Sequence, residues 1–240
     1  MDITLAIIAG MVGYLCGALS FTRIIGKFAA PNEDLSQTEF SVPGADAKVT
    51  MTSVSATSLS IRKGPKAGCP ASILDMVKVA IPTLIFKLLY PDAPYFLITA
   101  AAGVVGHNWP LYYRFVGGRG ISAIMGGLFV IDWLGIFIPN LLGMAIGVLV
   151  FKDVLIAYAA GTVLLIPWLW WRANGDVWHI AYAVFVSAAF LIAMLPELRQ
   201  YAQAKRDGKV PSLETVLSVT DMGKGLQKMS AMFKPRTKQN

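Results

Sequence analysis

The chain has 240 residues, of which 55% are hydrophobic and 15% charged, with a mean hydropathy of +0.59. A soluble domain carries nearer about 25% charged residues, so the composition argues against a soluble globule, and the aromatics argue against a disordered chain. The net charge is +7, but the Lys and Arg residues sit in loops and the C-terminal tail, as the positive-inside rule gives for a membrane protein, and no module for binding nucleic acid is visible.

Apolar runs of helical length alternate with short polar stretches. They cover Ile3–Ile25, Ala71–Tyr90, Pro94–Phe115, Ile121–Ile131, Leu134–Phe151, Val154–Trp171 and Val177–Leu195. Read as helices, they make an all-α polytopic membrane bundle of about seven transmembrane helices. The first run follows Met1-Asp2 rather than a basic segment, so it reads as a retained span and not as a cleaved signal peptide. Asp132-Trp133 alone separates the fourth run from the fifth, which leaves one broken helix as an alternative there.

The loop charges favour seven spans. Arg23, Lys27, Lys48, Arg62, Lys63 and Lys66 follow the first run, Arg114 and Arg119 the third, and Lys152 the fifth. The tail carries Arg199, Lys205, Arg206 and Lys209, and further basic residues from Lys224 to Lys238. Pro91–Ala93 and Asp132-Trp133 carry none, and Arg172 is the exception. An external N-terminus and a cytoplasmic C-terminus put nearly all this charge inside. The expected organisation is a membrane domain over 1–197, with a long cytoplasmic loop at 28–70, and a basic tail over 198–240. Spaced apolar residues from Leu213 to Phe233 leave an amphipathic surface helix and a disordered tail equally open.

The strongest local motif is Gly106-His107-Asn108-Trp109-Pro110, followed by Phe115-Val116-Gly117-Gly118-Arg119-Gly120. Pro110 should disturb the third helix at its cytoplasmic end. Gly117, Gly118 and Gly120 allow backbone N–H groups to converge on an anion at the start of the fourth, and Arg119 adds a fork matched to phosphate oxygens. His107 is suited to act as an acid, a base or a phosphate ligand. A tight turn and an interhelical polar contact are the competing readings of these two features. A second motif, from Ser53 through Ser55, Thr57 and Ser58 to Arg62 and Lys66, combines hydroxyls with cations that can wrap a phosphate; a solvated loop is its alternative. Asp75 and Lys78 share one helix face and should pair. His179, beside Trp178, reads as an interfacial anchor.

Other chemistry has no foothold. Cys16 and Cys69 make no disulfide scaffold, and with His107 and His179 as the only histidines no metal-ligand cluster forms. There is no nucleophile elbow and no Walker loop. A reaction here would have to proceed by positioning and charge.

These motifs resemble the acyl-phosphate-dependent glycerol-3-phosphate acyltransferases of the PlsY type. That family has a Gly-His-x-x-Pro segment and a Phe-Lys-Gly-Gly-Lys-Gly segment, similar to 106–110 and 115–120, with Arg119 in the place of a phosphate-binding lysine and Val116 in that of the first lysine. Gly17-x-x-x-Phe21, Gly26-Lys27, Ala56-Thr57, Gly64, Lys66, Gly68 and Asp75-x-x-Lys78 keep the family's order and spacing. The chain departs from it elsewhere. Serines replace both asparagines of the first motif, Ile61 stands where an arginine belongs with Arg62 next to it, and Glu197 stands where the third motif has asparagine.

The resemblance implies seven spans in a bacterial inner membrane, an external N-terminus and an active site at the cytoplasmic face. The implied reaction moves a fatty acyl group from acyl phosphate to glycerol 3-phosphate, without a cofactor, to give lysophosphatidate for phospholipid synthesis. His107 would orient a substrate group. Arg119 and the backbone of Gly117–Gly120 would hold one phosphate, and Arg62, Lys66 and the hydroxyls of Ser53, Ser55, Thr57 and Ser58 the other. The acyl chain would lie among membrane lipids. A second reading keeps the scaffold without catalysis and has it bind an anionic lipid or a partner. The sequence is silent on oligomeric state.

Overall fold

The computed structural model describes residues 1–31, 33, 38–41, 48–51 and 53–209. The tail beyond 209, with its spaced apolar residues, lies outside the described residues.

The first apolar run is two helices, not one. Helix α1 (Ile3–Ala18) starts on the Asp2 carboxylate, which accepts from the N–H groups of Thr4 and Leu5. Ser20 then caps α2 (Phe21–Ala29) by accepting from Arg23 N–H. A serine hydroxyl competes for orphan N–H donors at a helix start, so Ser20 breaks a run that hydropathy alone reads as continuous.

The described residues of the long loop include regular elements. Strands β1 (Thr38–Ser41) and β2 (Lys48–Met51) pair antiparallel, Thr38 opposite Met51 and Ser41 opposite Lys48. Helix α3 (Ala56–Lys63) begins with a reciprocal capping box between Ser55 and Ser58. Gly64 closes it at φ +79°, and Pro65 at the first position starts α4 (Pro65–Leu89). The second apolar helix thus begins at Pro65 rather than Ala71.

The remaining helices follow the expected runs. They are α5 (Tyr95–Asn108), α6 (Ile121–Ile131), α7 (Leu134–Leu149), α8 (Val154–Arg172) and α9 (Val177–Arg206). Asp132 and Trp133 do separate α6 from α7. Helix α5 ends just before Trp109-Pro110, and a short 3₁₀ turn, Leu111–Tyr113, follows. Helix α9 carries on through the first residues of the expected tail.

Close backbone contact holds the bundle. A Cβ on Gly13 or Gly17 would strike the backbone of Thr99 or Gly103, so α1 lies directly on α5. Gly143 meets Gly161 and Gly147 meets Ala157 in the same way, which joins α7 to α8. Small residues that admit a neighbouring backbone are how helices associate where lipid is as apolar as leucine. The interior is filled by Leu128, Leu165, Leu169, Val186, Phe190 and Met194, all essentially fully buried. Ile7, Ile81, Leu84, Phe137 and Leu141 point outward instead. The stretches Ile3–Ala29, Leu155–Arg172 and Val177–Arg206 are long and apolar enough to cross a membrane.

Polar clamps tie the two ends. At one, Asp132 accepts from Trp168 Nε1 at 2.6 Å and from Arg172 Nη2 at 3.1 Å. At the other, Asp153 caps α8 and accepts from Lys205 Nζ at 2.6 Å. His179, near the first of these ends, bonds Asp176 at 2.7 Å and packs edge-on against Phe96.

Candidate functional site

A chain of buried polar groups runs from α2 to the end of α5. Asp75 and Lys78 pair at 2.7 Å on α4, as their shared face requires. Thr22 Oγ1 donates to Asp75 Oδ2 at 3.2 Å, and Lys78 Nζ also donates to the Leu19 carbonyl. The third neighbour of the ammonium is His107 Nδ1, at 3.0 Å. An ammonium has only protons to give, so Nδ1 is the acceptor and the ring carries its proton on Nε2. That nitrogen faces Gly118, where a Cβ would overlap it.

The segment after α5 folds back over this histidine. Arg114 and Phe115 take left-handed conformations at φ 53° and 61°, which turns the chain sharply enough for Gly118 N–H to reach the His107 carbonyl at 3.0 Å. Val54 N–H donates to the Gly117 carbonyl at 2.9 Å. The hydroxyl-rich first motif and the glycine-rich second motif are therefore joined through main chain. Arg23 braces the turn by donating to the Val116 carbonyl at 2.8 Å and stacking on Tyr113. Gly120, at φ +94°, precedes α6 with no side chain capping the helix, so the first N–H groups of α6 stay available to an anion.

A cleft of about 300 Å³ opens beside these elements. Of the residues expected to bind or react, Ser55, Thr57, His107, Arg119 and Gly120 line it. Gly117 and Gly118 are outside the lining, pinned by the main-chain bonds above. Ser58 is buried in the capping box, its hydroxyl donating to the Ser55 carbonyl at 2.7 Å. Ser53 is buried, and its hydroxyl has no hydrogen-bond partner among the described residues.

The cations of the first motif face elsewhere. Arg62 donates to Thr38 Oγ1 at 2.9 Å and pairs with Glu33 at 3.4 Å, and Lys63 meets Glu33 at 2.6 Å. These bonds, that of Lys63 foremost, hold the Glu33 carboxyl below the usual carboxylate range. Lys66 is exposed on the first turn of α4, outside the lining.

The sequence reading missed other lining residues. Ser60, Ser72, Ser122 and Tyr158 add hydroxyls, and Cys69 adds a thiol. Ser72 and Ser122 bond each other at 2.9 Å across α4 and α6. Helical spacing was the available signal for Gly68, Cys69 and Ser72, which share a face of α4; Tyr158 had none. Arg119 is buried, and its Nη2 lies 3.0 Å from Oε1 of Glu197 on α9, also buried.

The profile of the glycerol-3-phosphate acyltransferase family matches residues 7–204. The chain belongs to that family. Among its relatives, the glycerol-3-phosphate acyltransferase of Pseudothermotoga lettingae is 30% identical over 125 residues, covering 52% of this chain and 56% of the relative. That of Mycoplasma mycoides subsp. mycoides is 30% identical over 172 residues, covering 68% and 61%. The chain thus spans less than two thirds of the length of these relatives. Two crystal structures of PlsY (YgiH), an integral membrane glycerol 3-phosphate acyltransferase, share the fold at 22% identity. The glycerol 3-phosphate form gives a TM-score of 0.66 over 86% of this chain and 94% of that one, and the lysophosphatidic acid form gives 0.68 over 88% and 98%. This member of the glycerol-3-phosphate acyltransferase family is accordingly a membrane-embedded helical bundle, with the β1–β2 pair as the strands among its described residues.

Proposed function

We propose that the cleft transfers a fatty acyl group from acyl phosphate to the 1-hydroxyl of glycerol 3-phosphate, giving lysophosphatidate and phosphate. One observation carries this reading: His107, Arg119 and the uncapped start of α6 converge on a single hydroxyl-lined cleft. The acceptor oxygen attacks the acyl carbonyl carbon, the bond from that carbon to the phosphate oxygen breaks, and the departing phosphate takes the hydroxyl proton. The enzyme's part is to hold two anions together and to stabilise the oxyanion with N–H donors. His107, which lines the cleft, orients a substrate group, Arg119 takes a phosphate, and no cofactor takes part. The role expected of Arg62 and Lys66 passes to the hydroxyls of Ser55 and Thr57 and to α6, since both cations lie off the cleft.

In this account all seven apolar helices span a bacterial inner membrane. The N-terminus lies outside and the cleft faces the cytoplasm. The clustering of Arg23, Arg119, Lys152 and Lys205 near the cleft end of the bundle supports that orientation. The acyl chain lies between helices, in contact with membrane lipid.

The buried Arg119–Glu197 pair favours a second reading, a scaffold that binds an anionic lipid or a partner without turnover. Purified protein supplied with glycerol 3-phosphate and either acyl phosphate or acyl-CoA separates the two. Lysophosphatidate from acyl phosphate supports the transferase. Product from acyl-CoA alone would change the donor, and none from either would leave the scaffold.

A further inference from the structure

The function proposed above gives Arg119 to a substrate phosphate, yet in the free protein that guanidinium already has an anion. Glu197 Oε1 lies 3.0 Å from its Nη2, and the two side chains are only 6% and 9% exposed. Arg119 carries the one formal charge among the described residues that line the cleft. Its pairing with Glu197 therefore leaves the cleft close to neutral. The nearby cations offer no replacement. Lys78 is spent on Asp75, Lys63 on Glu33, and Arg23 and Arg62 on contacts outside the lining.

The pair is also incomplete. Arginine and a carboxylate normally meet through two parallel bonds. Here Arg119 Nε and Glu197 Oε2 are both buried, and neither has a partner among the described residues. The ion pair rests on a single bond, with the Tyr158 hydroxyl as a further neighbour of the guanidinium, a geometry suited to exchange for a better-matched oxyanion. Around it the lining is rich in hydroxyls, from Ser55, Thr57, Ser60, Ser72, Ser122 and Tyr158. Those groups recognise a polyol whether or not it is charged.

We infer that Glu197 sets the charge selectivity of the acceptor site: it is an internal anion that competes with the acceptor's phosphate for Arg119. Like charges juxtaposed in a buried site are a strong discriminating device. A doubly charged acceptor must push the carboxylate aside or sit beside it, whereas a neutral polyol meets no such penalty. The cleft is thereby less partial to glycerol 3-phosphate over uncharged glycerol than the same cleft with Arg119 free. The inference rests on the proposed use of Arg119 as a phosphate ligand.

Binding tests it without turnover. Native protein and Glu197→Gln, purified in detergent, are titrated calorimetrically with inorganic phosphate, glycerol 3-phosphate and glycerol. The variant should bind both phosphates at least about tenfold more tightly, with glycerol unchanged. Measurable and equal phosphate affinities in the two proteins would overturn the inference while leaving Arg119 as a phosphate ligand. Phosphate binding absent from both would overturn the inference and the phosphate role together. Should Glu197→Gln fail to fold, Arg119→Lys/Glu197→Gln compared with Arg119→Lys is expected to show the same tenfold gain, and no gain there is equally fatal.

Discussion

Lys78 on α4 holds the imidazole of His107 on α5, with Nζ 3.0 Å from Nδ1 and 2.7 Å from Asp75 Oδ1. One buried ammonium therefore neutralises a carboxylate and fixes the histidine tautomer. Removing it should do two separable kinds of damage. Lys78→Met strands Asp75 and should cost about 3–5 kcal/mol of stability, as broken buried pairs do. Asp75→Asn/Lys78→Met should recover much of that loss in thermal unfolding. Turnover should stay low in both variants, because neither keeps the Lys78 contact that fixes the His107 ring. Full activity in the double variant would show that His107 needs no such support.

The approach of Gly118 to His107 leads to a second expectation. Gly118→Ala puts a methyl group onto the ring, and overpacking of this kind costs about 1–3 kcal/mol. Gly10→Ala is the matched control, since its new Cβ would meet nothing nearer than an Ile98 methyl carbon at 3.8 Å. Product formation and melting temperature should fall for Gly118→Ala and hold for Gly10→Ala.

Acid should loosen the end of the bundle where α9 meets the start of α8. Burial works against ionisation of Asp153, but bonds from Lys205 and from the N–H groups of Ile156 and Leu155 prevail and hold its carboxyl below the usual range. A lowered folded-state value means stability that is complete above the ordinary carboxylate value of about 3.9 and lost as pH falls through the lowered one. Asp153→Asn keeps an N-cap oxygen but not the charge. Its melting temperature should be lower at neutral pH and nearly level with that of the native protein once Asp153 is protonated, a convergence visible in melts taken across the acid range.

Topology can be read from a native thiol. Cys69 is exposed and lines the cleft. In a Cys16→Ala background, a membrane-impermeant maleimide should label Cys69 from the cytoplasmic side alone. Labelling from the external side alone would invert the bundle and move the cleft with it.

The helices were legible because each apolar run ends on a strong local signal. Pro110 stops α5, and Asp132-Trp133 parts α6 from α7. The errors fell where a local polar signal outweighed hydropathy. Ser20 divides the first run, and Gly64-Pro65 starts α4 inside a stretch that reads as loop. The His107 and Gly117–Gly120 motif was visible as contiguous residues. Its partners were not, because they arrive through tertiary packing. Lys78 lies 29 positions before His107, and Glu197 lies 78 after Arg119. Arg62, one residue from where the family places an arginine, lies on α3 and bonds Glu33 and Thr38.

The proposed acyl transfer in this cleft depends on Arg119. The most direct measurement is the initial rate of lysophosphatidate formation from acyl phosphate and glycerol 3-phosphate, for folded native protein, Arg119→Met and Arg119→Lys side by side. A charge-assisted contact is worth about 1.5–3 kcal/mol. Arg119→Met should therefore lower kcat/KM by roughly ten- to a hundredfold, since each 1.4 kcal/mol is about tenfold, and Arg119→Lys should recover part of the loss. An active native protein whose rate is unchanged by Arg119→Met would contradict the account.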